Sequence, residues 1–143
     1  MDKVNKILNA IADYAIVCKS MYQTSSNPLL KKMWMDGLRN SIFYNCSSEI
    51  FWTGLQTENC SGKPKAKLSK EHEYGLKKLS EEILTSNWTK EEIIENIKVK
   101  AKWNYTTKEE NQILKHNSQD YEKLGLKLIK RRKGAKSKNK KIF

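Results

Sequence analysis

Apolar residues recur at three- and four-residue steps over the first forty positions, and that period predicts two helices. Val4, Ile7, Leu8, Ile11, Ala15, Cys18 and Tyr22 form one stripe about five turns long. Ser25, Ser26 and Asn27 before Pro28 then read as a break and a new helix start, because proline fits the first turn, where its missing N–H is no loss. Leu30, Met33, Trp34, Leu38 and Ile42 give the second helix its apolar face, so the simplest arrangement is a helical hairpin. Residues 47–52 fit strand or helix equally well. Thr53 to Pro64, with Gly54, Gly62 and Pro64 among polar residues, reads as a loop.

Beyond residue 64 the period changes. Ala66 and Leu68 alternate with Lys65, Lys67 and Ser69, a strand pattern that ends at Glu71-His72. Leu76, Leu79, Ile83 and Leu84 predict a short helix. Thr89 with Glu92 forms a capping box that starts another, carrying Ile93, Ile94 and Ile97. Val99, Ala101, Trp103 and Tyr105 then alternate with Lys100, Lys102 and Asn104 as a second strand. Thr107 with Glu110 repeats the capping box, opening a helix that holds Asn111 in its first turn. Residues 121–129 fit a helix stub or an edge strand.

These patterns predict a mostly helical α+β fold: one domain over 1–129, divided into a helical part (1–60), a core (61–117) and a closing segment (118–129), with a basic tail at 130–143. The formal charge is +12, and nearly all of the excess lies after residue 60, where 22 Lys/Arg face 11 Asp/Glu. Such a field favours a polyanion, with nucleic acid ahead of anionic membrane. Lys67, Lys70, Lys100 and Lys102 on the strands, and Lys130, Arg131, Arg132 and Lys133 in the tail, are the candidate phosphate contacts. No run approaches the roughly 20 apolar residues of a membrane span, so a cytoplasmic protein is expected. Cys18, Cys46 and Cys60 are odd in number and lack close pairing, which argues against a disulfide framework or a zinc ribbon.

The remaining chemistry gathers at two places. Hydrolysis of a phosphodiester needs a base for water and a cation for the phosphoryl charge; histidine suits the first role and a carboxylate with another oxygen donor can hold the second. Lys70-Glu71-His72 and Thr106-Thr107-Lys108-Glu109-Glu110-Asn111 resemble the two ends of the motif of the HNH, or His-Me finger, endonucleases (the ββα-metal nucleases). The resemblance covers residues 64–117. It implies a ββα core. The separation of His72 from Asn111 is longer than is usual in the family, which a helical insertion at 75–97 between the two strands explains. The amino-terminal hairpin takes no part in the resemblance and is expected to pack on that core. The resemblance further implies His72 as general base, Glu71 and Asn111 as ligands of one Mg²⁺ or Mn²⁺ ion, and products with 5′-phosphate and 3′-hydroxyl ends. The family's middle asparagine falls two residues from Asn104, at Lys102. The acid is Glu where Asp is usual, and without paired cysteines this would be a zinc-free version. DNA is the expected substrate, with RNA as an alternative and with monomer and homodimer both open. The rival reading is a non-catalytic nucleic-acid-binding or regulatory protein in which His72 is a solvated histidine between Glu71 and Glu73.

Overall fold

A computed structural model describes residues 2–132; Lys133 and the rest of the basic tail lie outside them. The fold is α+β, with five helices and a small mixed sheet. Its helices are α1 (Lys3–Thr24), α2 (Pro28–Asn45), α3 (Leu76–Thr85), α4 (Lys90–Lys100) and α5 (Lys108–His116), and its strands are β1 (Trp52–Thr57), β2 (Leu68–His72), β3 (Trp103–Thr107) and β4 (Leu128–Lys130). The helices begin where local chemistry dictates. Asp2 caps α1 through the Asn5 amide, Asn27 caps α2 ahead of Pro28, and both predicted capping boxes form at Thr89 and Thr107.

The described residues fall into two compact units, each made from two stretches of chain. Residues 2–52 and 72–103 form the first. There the α1–α2 hairpin packs on α3 and α4, the two helices inserted between β2 and β3. Leu8, Ile11, Ala15, Leu38, Ile42, Leu79, Ile83, Ile93 and Ile97 fill its core. Burial on α2 is confined to Leu38 and Ile42, which leaves Leu30 and Met33 exposed although they continue the same stripe. All three cysteines are free and buried, and burial pushes the Cys46 thiol up to about 12.

Residues 53–71 and 104–132 form the second unit, which carries most of the sheet. Strand order is β2-β3-β1-β4, so β2 and β3 lie side by side with α5 following directly on β3. β4 pairs antiparallel with β1 as an edge strand, in the register Leu55↔Lys130, Gln56↔Ile129 and Thr57↔Leu128.

Three expectations are corrected. The loop expected over 53–64 contains β1, whose polar Gln56 and Thr57 are buried because each finds a partner, Gln56 in Arg131 and Thr57 in Glu110. The strand expected from Val99 begins only at Trp103. Lys98 and Lys100 instead close α4, where positive charge suits the helix C-terminus, and Val99 is exposed. The tail expected from residue 130 starts later: Lys130 ends β4, and Arg131 donates to Gln56 Oε1 (2.8 Å) and to the Lys63 carbonyl (3.0 Å).

Hydrogen bonds carry much of the second unit's interior, where Gln56, Thr57, Asn104, Thr106, Thr107 and Glu110 are buried. The Glu110 carboxylate is the densest node: it accepts from Thr57 Oγ1 (2.5 Å), Asn59 Nδ2 (2.9 Å) and the Thr107 amide (2.9 Å). Burial pushes this carboxyl up, but those donors outweigh it and hold it below the usual value. Truncation at Glu110→Ala strands several buried donors, and it is expected to lower unfolding free energy by about 3 kcal/mol, read as the shift in denaturant midpoint.

Candidate functional site

His72 closes β2, and Gly75 starts α3 three residues on. The side chain is only 6% exposed, not solvated between Glu71 and Glu73 as the bland reading had it. Its Nδ1 lies 3.1 Å from the carbonyl of Ala101, the residue that caps the C-terminus of α4. A carbonyl can only accept, so Nδ1 carries the proton and Nε2 keeps a lone pair. That Nε2 is buried and has no hydrogen-bond partner among the described residues. The Phe43 ring packs edge-on against the imidazole. Burial drives the His72 pKa down to about 4, against smaller upward contributions from the backbone at Ala101 and Lys102. The ring is therefore neutral at physiological pH, in the tautomer a base acting through Nε2 requires.

Glu71 and Asn104 belong to the second unit, where one buried hydrogen-bond chain joins them. Thr53 Oγ1 donates to Asn104 Oδ1, Asn104 Nδ2 donates to the Tyr121 hydroxyl (3.4 Å), and that hydroxyl donates to Glu71 Oε1 (3.2 Å). Asn104 is fully buried, and its amide holds Tyr121. Thr106, two residues on and so on the same side of β3, has a buried hydroxyl without a partner. Asn111 sits half-buried in α5, directly after the Glu110 node and outside this chain of bonds.

Glu71 and Asn111 offer a carboxylate and an amide oxygen, hard donors of the kind Mg²⁺ and Mn²⁺ prefer. Among the described residues no three His, Cys, Asp or Glu side chains cluster to hold a metal.

The basic candidates separate. Lys67 lines a cavity of about 510 Å³ with Lys63, Lys108 and the start of α5, while Lys70, Lys102, Lys130 and Arg132 are exposed. Lys100 lies in α4 rather than on a strand face; it pairs with Glu82 (3.6 Å) and stands over the Tyr74 ring. Arg131 is committed to Gln56 and Lys63, and to the face of Tyr105. Sequence reasoning missed Tyr121 and Lys108. Lys108 was legible as a cation at the first position of a capped helix, whereas nothing in the 121–129 pattern marked a hydroxyl bound for Glu71. Comparison with protein families, curated proteins and solved structures finds no match. No helix among the described residues is long and apolar enough to cross a membrane.

The depressed histidine has a thermodynamic signature. Above pH 6.5 both folded and unfolded states hold it neutral; as pH falls below that, only the unfolded state takes up the proton until the folded pKa is reached. Stability is therefore full above pH 6.5 and is lost toward pH 4, by ~3 kcal/mol over the interval. In His72→Gln this component of the acid slope should vanish, as measured by denaturant unfolding at half-unit pH steps.

Proposed function

We propose that the protein is a DNA endonuclease that depends on a divalent metal and uses His72 as its general base. The observation that carries this reading is the imidazole lock: the Ala101 carbonyl takes Nδ1, and a bare, buried Nε2 remains. Its context supports the same reading, since β2 and β3 are neighbours and a capped helix bearing Asn111 follows.

In this reading Nε2 of His72 accepts a proton from water as the water oxygen attacks phosphorus. The bond to the 3′ oxygen breaks, leaving a 5′-phosphate and, once that oxygen is protonated, a 3′-hydroxyl. When bound by Glu71 and Asn111, Mg²⁺ or Mn²⁺ supplies Lewis acidity at the phosphoryl and leaving oxygens. A phosphodiester anion brought against the imidazole would favour its protonated form, whereas a cation held at the adjacent Glu71 would favour the neutral form that acts as base. The exposed lysines Lys67, Lys70, Lys102 and Lys130 contribute phosphate attraction that weakens with salt.

The test is supercoiled plasmid incubated with the protein and Mg²⁺ or Mn²⁺. Nicked or linear product is expected with either metal. EDTA should abolish it, and His72→Ala should slow it by at least 100-fold, the lower range for a general base. Equal cutting by parent and His72→Ala would sink the assignment. Salt-sensitive binding with no cleavage would make this a DNA-binding protein instead.

A further inference from the structure

We propose that Tyr121 is a positioning residue for Glu71, fixing its carboxylate for a divalent cation; this rests on the nuclease reading above. Tyr121 lies outside the stretch that resembles the nuclease motif, yet its hydroxyl is the donor to Glu71 Oε1. A glutamate has several rotatable bonds, and an unrestrained one must lose that freedom when it binds a metal. Holding one carboxylate oxygen fixes the plane of the group and hence the direction in which it is presented.

Tyr121 is itself held. Asn104 Nδ2 donates to its hydroxyl, and Thr53 Oγ1 anchors Asn104 from the other side, so the donors run in one direction, from Thr53 to Glu71. The hydroxyl can therefore offer its proton only onward.

A second observation concerns how the tyrosine arrives. Past the end of α5, Ser118 and Gln119 adopt φ of 55° and 56°, consecutive left-handed conformations that non-glycine residues disfavour. The Gln119 amide bonds back to the Leu114 carbonyl (2.9 Å), and the reversed chain places Tyr121 in the interior, 6% exposed. Local strain is accepted in the turn that delivers this side chain.

The experiment is direct Mn²⁺ titration, by calorimetry and by electron paramagnetic resonance, of the parent, Glu71→Gln and Tyr121→Phe, with nicking measured across Mn²⁺ concentration. Tyr121→Phe deletes one oxygen and keeps the ring. It should weaken Mn²⁺ binding by about tenfold or more, and nicking should recover at high metal, which places the defect in metal affinity. Thr53→Val, at the exposed end of the chain of bonds, should act in the same direction by a smaller factor, and it decides the question should Tyr121→Phe not fold. Parent-like affinity in the folded variants, with Glu71→Gln impaired, overturns the role of Tyr121 and leaves the nuclease reading intact. No Mn²⁺ binding and no cleavage by the parent overturn both.

Discussion

The second unit depends on the carboxylate of Glu110. It satisfies the amide of the residue that caps its own helix, and it also accepts from Thr57 on β1 and from Asn59 just beyond. One side chain therefore starts α5, ties it to the end of β3 and fastens it to a second strand. A buried charge without these donors would be heavily penalised; with them, the carboxyl stays ionised below its ordinary range. Asn111 follows one residue later, so its place is set by a network that it does not join. An interior built in this way tolerates little loss, because each missing donor or acceptor leaves a buried partner unsatisfied.

The first unit works by a different principle. Its four helices bury aliphatic side chains against one another, and hydrophobic burial carries its stability. His72 brings a polar ring into that interior, held by the Ala101 carbonyl and packed against Phe43. One of the three places where the chain passes from one unit to the other is the bond between Glu71 and His72, so one dipeptide supplies the acid to a hydrogen-bonded interior and the histidine to a helical one.

What could be read from the sequence follows from how local each signal is. Capping boxes at Thr89 and Thr107 and the proline start at Pro28 are contained within a few residues, and all three form as expected. The adjacency of β2 and β3 across two inserted helices was legible only through the family resemblance, since no periodicity reports which strands pair. β1 escaped detection because Gln56 and Thr57 look like loop residues until Arg131 and Glu110, more than fifty positions away, supply their partners. The lysine alternation around residue 100 fits a helix end as well as a strand, and the capped helix preceding it won. Glu110 was legible as a capping residue but not as the acceptor for β1, and Tyr121 read only as an apolar position.

Two of the features that run against stability concern the proposed site, whereas the buried Trp34 Nε1 and Thr106 hydroxyl, which also lack partners among the described residues, lie outside it. An unsatisfied buried acceptor such as His72 Nε2 costs about 1–3 kcal/mol. Two non-glycine residues in left-handed conformations, Ser118 and Gln119, add about 1–2 kcal/mol each. Set against the roughly 5–15 kcal/mol that separates folded from unfolded domains, this is a large share for three positions. An apolar residue at 72 would remove the first penalty, and glycine at 118 or 119 would ease the second. On the nuclease reading proposed above, both costs attach to groups the chemistry would use: the imidazole nitrogen that would act as base and the turn that brings Tyr121 to Glu71.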